Sequence, residues 1–247
     1  MILVRQLFYP IGLFFITIWY ALVVMVAAAL RVRYRHWGVY DQATRGWARK
    51  LLWISGCPVT VRGGEHLSVE EPHIIASNHA SFFDICAIAG YLPVPVKFVA
   101  KKELFPIPFF GWALTALRAV KLDRTNLKQA FGAYEEAARF IREERLHVLI
   151  FPEGTRTRTG DLQPFKKGPF VLAISCQAKI VPVYVGGTFG ILPKGSIRIR
   201  PHPIVLSIGE PIDSAGMTYD DREELGGRAE DSVRAMRAEV EGASAAR

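Results

Sequence analysis

The chain contains no G-x-S-x-G, no G-x-x-x-x-G-K-[ST], no H-E-x-x-H and no G-x-G-x-x-G. A serine-hydrolase elbow, a P-loop and a zincin are therefore poorly supported. Cysteine is scarce as well: Cys57, Cys86 and Cys176 are far apart and no C-x-x-C occurs. An odd, scattered set builds no disulfide framework, and a reducing, cytosolic compartment is its natural home. Acid is nearly missing from the front. Residues 1–50 hold Arg5, Arg31, Arg33, Arg35, Arg45, Arg49 and Lys50 against Asp41 alone, a net of +6. Between Gln6 and Leu30 there is no charge of either sign.

What is present starts from size. The 247 residues suit one compact domain with an appended segment, and half of them are hydrophobic. The overall charge is +8. Its concentration at the front favours an anionic membrane surface or an anionic substrate. Nucleic acid is the weaker partner, because the basic residues flank an apolar stretch instead of interleaving with exposed aromatics. Ile11–Leu30 is apolar but for Gly12 and Thr17, and is about as long as one membrane-spanning helix. Ala27-Ala28-Ala29 mimics a signal-peptidase site, but the apolar run is long for a signal sequence and only Arg5 precedes it. Arg31, Arg33, Arg35 and His36 follow the run, so the positive-inside bias puts the bulk of the chain in the cytoplasm. Residues 41–55 read as a second helix. Trp37, Trp47 and Trp53 suit a membrane interface, and packing on the globular domain is an equal alternative. The chain thus divides into membrane-anchoring helices over 1–55 and a second domain over 56–247.

The stretch Ser77-Asn78-His79-Ala80-Ser81-Phe82-Phe83-Asp84 reads as a strand, a turn and a helix start. Five residues correspond to about 140° on an ideal helix, so His79 and Asp84 would not share a helical face. They meet only if His79 sits in the turn and Asp84 reaches back from the first helical turn. A histidine so held acts as a general base, its tautomer fixed by the carboxylate. A surface pair or a capped helix start is the plainer reading of the same spacing. Further strands are expected at 96–100, 119–122, 147–151, 180–185, 197–199 and 204–208. Helices are expected from about Phe109 to Leu117 and over 126–144 and 168–178. The closing helix, 219–240, is weakened by Gly226-Gly227, and the acidic tail from Glu210 reads as a solvated helix. Strands alternating with helices give an α/β fold with a mixed, largely parallel sheet flanked by helices, behind an N-terminal membrane-associated helical segment.

Three basic clusters follow predicted strands: Lys101-Lys102, Leu122-Asp123-Arg124, and Phe151-Pro152-Glu153-Gly154-Thr155-Arg156 with Lys166-Lys167 behind. Singly each is a solvated loop. In open α/β sheets, however, ligands collect outside the carboxyl ends of the strands, where all three would face one crevice with His79. Arginine offers a phosphate two parallel hydrogen bonds, and Gly154 permits a sharp turn or a close backbone approach.

In order and approximate spacing these motifs resemble the glycerolipid acyltransferase superfamily. Asn78-His79-x-x-x-x-Asp84 is similar to its first motif. Lys101-Lys102-Glu103-Leu104 through Pro108-Phe109-Phe110-Gly111 to Asp123-Arg124 is similar to its second. Phe151-Pro152-Glu153-Gly154-Thr155-Arg156 resembles the third and Val181-Pro182-Val183 the fourth. The nearest branch is the 1-acyl-sn-glycerol-3-phosphate acyltransferases, and the resemblance covers roughly residues 60 to 210. It implies transfer of an acyl chain from a thioester to the sn-2 hydroxyl of lysophosphatidic acid, giving phosphatidic acid. His79 and Asp84 would be catalytic. Lys101, Arg124 and Arg156 would lie near the acceptor phosphate, with Glu153, Gly154 and Thr155 shaping that pocket. It implies no metal or cofactor beyond acyl-coenzyme A or acyl carrier protein as thioester co-substrate, and a membrane location with the catalytic domain facing the cytoplasm. Leu104, Phe105, Phe109, Phe110, Trp112, Leu114 and Leu117 either line an acyl tunnel or form an ordinary apolar helix. Two alternatives stay open: an acyltransferase for another acceptor, such as lyso-ornithine lipid or a different lysophospholipid, and a non-enzymatic membrane lipid-binding protein.

Overall fold

The computed structural model describes residues 2–122, 135 and 137–245. Two helices lead. α1 runs Ile2–Ala29 and α2 Val39–Ser55. They lie side by side. Gly12 passes Ile54, Trp47 Nε1 donates to Thr17 Oγ1 at 3.1 Å, and Gly46 leaves room for the Tyr20 hydroxyl. At the far end Val24 and Ala27 pack with Tyr40 and Ala43. Gly56, at φ 67°, closes α2 in the left-handed region, where a glycine carries no Cβ penalty.

β1 (Val59–Arg62) then turns into β2 (His73–Ser77), followed by α3 (Phe82–Tyr91), β3 (Val96–Lys101), α4 (Phe110–Ala116) and β4 (Val120–Leu122). The described part of α5 covers 137–143, so most of the helix expected from Asn126 lies outside the described residues. β5 (His147–Ile150), α6 (Phe170–Cys176), β6 (Lys179–Gly186), α7 (Thr188–Ile191), β7 (Ile204–Ile208) and α8 (Arg222–Ala245) complete the chain. The sheet order is β1-β7-β6-β2-β5-β3-β4. Among the described strands only β6 and β7 pair antiparallel; the other neighbours are parallel. Central strands β2 and β5 are buried at every residue. Helices cover both faces, so strands here are continuous apolar runs without alternation. One core gathers α2 and α3 against the sheet, and a second gathers α5, α6 and α8 on the other side.

Two expectations need correction. Residues 197–199 form no strand: Arg200 N–H bonds back to Ile191 O, Ile199 is buried, and Ile197 points out without a neighbouring strand to pair with. The acidic closing helix is not merely solvated. Leu225, Ala229, Val233 and Met236 form a buried stripe at helical spacing. Gly226 is not a weak point in that stripe, because a Cβ there would meet the Phe170 ring at 3.1 Å. Of the two alternatives for α2, packing on the globular domain is served by Arg45 and Arg49. Their guanidinium groups donate to Leu92 O at 2.7 Å and Gly90 O at 2.8 Å, satisfying carbonyls at the end of α3. Packing on the globular core is therefore what α2 does with these residues.

Candidate active site

Site construction begins with the end of β2. The parallel pairing of β2 with β5 and β6 brings the residues after each strand to one edge of the sheet. Asn78 locks the turn there: its Nδ2 donates to Val185 O at 3.0 Å, and Val185 N–H donates to its Oδ1 at 2.8 Å. Ser81 then caps α3, accepting from Phe83 N–H at 3.3 Å. Asp84, in the first turn, reaches back. Its Oδ2 accepts from Ala80 N–H at 2.7 Å, from Ser81 N–H at 2.8 Å, and faces His79 Nδ1 at 2.9 Å. The helix cap and the His–Asp pair are thus one carboxylate. A carboxylate only accepts, so Nδ1 carries the proton and the lone pair of Nε2 is left bare.

The surroundings differ for the two partners. The Asp84 side chain is fully buried, whereas that of His79 retains 15% exposure. Thr188 Oγ1, at the start of α7 and itself buried, donates to Asp84 Oδ1. Phe151 stacks on the imidazole, with ring centroids 3.9 Å apart and planes 13° apart. One face of the ring is therefore covered by an aromatic. Thr188 and the stacking role of Phe151 were not legible as such. Thr188 stands 104 residues from Asp84, with no spacing rule to connect them.

The loop after β5 wraps the same turn. Glu153 is buried; its Oε1 accepts from His79 N–H at 3.1 Å and its Oε2 from Gln163 Nε2 at 2.9 Å. Thr157 N–H donates to His79 O at 2.9 Å. Burial pushes the Glu153 carboxyl up to about 7; the nearby Asp84 adds to this, while the donors from His79 and Gln163 oppose it. Glu153 is thus a clasp on the histidine's backbone. Gly154 adopts φ 77°, and a Cβ there would meet Lys166 Nζ at 2.9 Å. Thr155 Oγ1 accepts from Lys194 Nζ at 2.8 Å, and Arg156 O lies 3.4 Å from the same nitrogen. Lys194 was not among the expected residues. Among the described residues neither Lys194 nor Arg156 forms an ion pair. Lys101 ends β3 at the same edge, though its side chain lies outside the described ones, and Arg124 lies outside the described residues altogether.

Behind the turn lies a cavity of about 190 Å³, lined by Asn78, Glu153, Thr157, Tyr184, Thr188 and Glu241 among others. It is smaller than the roughly 300–1,000 Å³ of a small-molecule pocket. Neither His79 nor Asp84 lines it.

Fold and site together define an α/β protein with a carboxylate-held histidine at the carboxyl ends of its strands. Comparison with known proteins gives the family. The sequence model of the Acyltransferase family matches residues 58–186, slightly more than half of the chain, and the chain belongs to that family. A 1-acyl-sn-glycerol-3-phosphate acyltransferase from Limnanthes douglasii is 38% identical over 170 residues, 69% of this chain and 60% of that protein. One of the same name from Pseudomonas aeruginosa is 31% identical over 228 residues, 90% of this chain and 86% of that protein. The chain thus spans about three fifths of the plant relatives it matches. Among solved structures, the 1-acyl-sn-glycerophosphate (LPA) acyltransferase PlsC from Thermotoga maritima superposes with a TM-score of 0.76 at 26% identity. That match covers 96% of this chain and 98% of PlsC.

Proposed function

We propose that this protein transfers a fatty acyl chain from a thioester to the sn-2 hydroxyl of lysophosphatidic acid, releasing the thiol and phosphatidic acid. The observation that carries the reading is the 2.9 Å contact of His79 Nδ1 with buried Asp84, which leaves Nε2 free. Nε2 takes the proton of the acceptor hydroxyl as its oxygen attacks the thioester carbonyl. The tetrahedral intermediate then expels the thiolate, which recovers the proton from the imidazolium. Asp84 stabilises the charged ring between these steps. A thioester is already activated, so deprotonation and positioning suffice and no covalent nucleophile is needed. Lys101, Arg124 and Arg156 are proposed to meet the acceptor phosphate, with Glu153, Gly154 and Thr155 fixing the loop around it. Relatives named for this acceptor, and the cationic loop at the same edge as His79, support the choice of a phosphate-bearing substrate.

The same reading places the protein on a bilayer, with the catalytic domain on the cytoplasmic side. Tyr9–Ala29 is long and apolar enough to cross a membrane, and only 11% of its most apolar window is buried. Its contacts with α2 run from Gly12 to Ala27, however, and α2 is packed on α3. A helix fastened along its length to the catalytic core fits better in one leaflet than across two, because spanning would draw that core into hydrocarbon.

The test is thiol release from long-chain acyl-coenzyme A, and from acyl carrier protein, by the detergent-solubilised protein over a panel of lysolipids. Release is expected with lysophosphatidic acid and is expected to vanish in His79→Ala. Release with another acceptor instead would move the enzyme to that acceptor. No release from either donor with any acceptor would leave a lipid-binding protein.

A further inference from the structure

The segment between α7 and β7 is absorbed by neither the fold nor the catalytic pair. Residues 192–203 read Leu-Pro-Lys-Gly-Ser-Ile-Arg-Ile-Arg-Pro-His-Pro, and no acid occurs anywhere from Thr188 to Gly209. The loop is tied down at both ends. Leu192 O accepts from Ser81 Oγ at 2.8 Å, Lys194 Nζ reaches Thr155 Oγ1, and Arg200 N–H donates to Ile191 O at 2.9 Å. Inside it, Ser196 N–H bonds to Pro193 O and Arg198 N–H to Ser196 Oγ, around Gly195 at φ 89°. Ile199 is buried as an anchor. The result is a fastened tip on which Ile197 is 94% exposed, with exposed Arg198 and Arg200 close by.

That exposure exceeds that of any other large apolar residue described, including those on α1, where Phe15 and Trp19 reach 65%. A single exposed aliphatic is unremarkable on most proteins. Here it stands on a loop tied to the catalytic turn through Ser81 and to the loop after β5 through Thr155, in a run of sequence with three cations and no acid. If the acceptor is a lipid, its hydroxyl lies at headgroup depth, and the rim beside His79 must come down to that depth. An apolar tip flanked by arginines matches such a surface: the aliphatic enters the acyl boundary while the cations meet anionic headgroups.

We propose that residues 193–200 are a second membrane contact, separate from α1, which binds anionic headgroups through Arg198 and Arg200 and inserts Ile197 beside the catalytic turn. This rests on the lipid-acceptor reading for its purpose, but its test does not depend on turnover. The three native cysteines are buried, so Ile197→Cys in the full chain takes an environment-sensitive fluorophore at one position. The labelled protein is bound to vesicles of phosphatidylcholine with phosphatidylglycerol and to vesicles of phosphatidylcholine alone.

The expected result is a blue shift of the probe, with quenching by brominated acyl chains, on the anionic vesicles and a loss of both on the neutral ones. Arg198→Glu/Arg200→Glu should abolish the shift while leaving turnover of a monomeric, water-soluble short-chain lysophosphatidic acid unchanged. An unshifted, iodide-accessible probe on both vesicles would overturn the proposal. So would a shift produced only by acyl carrier protein, which would make the loop a protein-docking site, or loss of short-chain turnover in the double variant, which would make the arginines acceptor ligands. Absence of all lysophosphatidic acid turnover in the unmodified protein would refute the function proposed above without touching the probe result.

Discussion

In the mechanism proposed above, the His79 base depends on Thr188, which holds Asp84 and is not a member of the pair. Asp84 Oδ2 already accepts from two backbone N–H groups and faces His79, while Oδ1 accepts from the Thr188 hydroxyl. Thr188→Val keeps the shape and removes the donor. A buried carboxylate oxygen left without its partner forfeits about 1–2 kcal/mol, which at the transition state corresponds to roughly five- to thirtyfold in kcat. Thr188→Ser should restore most of it. The KM for the acceptor should not move, and the acid limb of the kcat profile should shift in the Val variant alone; an unchanged profile would reduce Thr188 to packing. Glu153 gives a second prediction at this scale. Its carboxyl titrates near 7 when folded against an ordinary 4.5, so between those values the folded chain holds a proton that the unfolded chain has released. Stability from this group is therefore full below 4.5 and lost as pH rises through 7, by on the order of 3 kcal/mol. Glu153→Gln keeps an acceptor for His79 N–H and removes the titration. Urea midpoints in detergent at pH 5 and pH 8 should lie closer together, or reverse in order, in the variant. Parallel behaviour of the two proteins would show that the carboxyl is not the source.

Between elements, the strongest polar tie lies at the opposite edge of the sheet. Lys97 Nζ, at the start of β3, donates to Asp41 Oδ1 at 2.7 Å, and both side chains are buried. Asp41 Oδ2 also accepts from Trp37 N–H at 2.9 Å and from the Tyr34 hydroxyl at 3.2 Å. The pair therefore binds the α1–α2 connection and the first turn of α2 to the sheet. Lys97→Met leaves Asp41 as a buried charge without its cation and should destabilise the fold by about 3–5 kcal/mol. Adding Asp41→Leu should recover part of that, since an apolar pair has no desolvation cost. Equal losses in single and double variants would mean that the pair is not coupled. Nothing in the sequence marks this pair, because residues 56 apart acquire a relation only through the packing of α2. The turn at His79 was legible for the opposite reason. His79 and Asp84 are local, and the requirement that one sit in a turn and the other in the first helical turn leaves a single geometry. Strands buried on both faces were equally plain as apolar runs. The run at 197–199 misled because alternation alone does not supply a partner strand, and Ile197 and Ile199 alternate for another reason: one anchors a loop and the other tips it.

For the whole molecule, the apolar leader either spans the bilayer or lies in one leaflet. Composition cannot decide this, since both arrangements want about twenty apolar residues without charge. The structure adds that α1 is not a free rod. Thr17 is held by Trp47, Tyr20 fills the space left by Gly46, and the end near Val24 and Ala27 is closed by Tyr40 and Ala43. Spanning would require either that α1 peel from α2 or that α2 follow it with Arg45 and Arg49 already committed to the end of α3. A helix lying in one leaflet requires neither. With the protein bound from outside to sealed vesicles, an epitope tag placed before Met1 should then be removed by external protease as readily as one placed after Arg247. If the N-terminal tag survives until detergent opens the vesicles while the C-terminal one is lost, α1 spans. Either the contacts with α2 would then part when the protein enters a membrane, in which case a disulfide engineered between α1 and α2 would block insertion, or α2 would follow α1 and the disulfide would leave insertion unchanged.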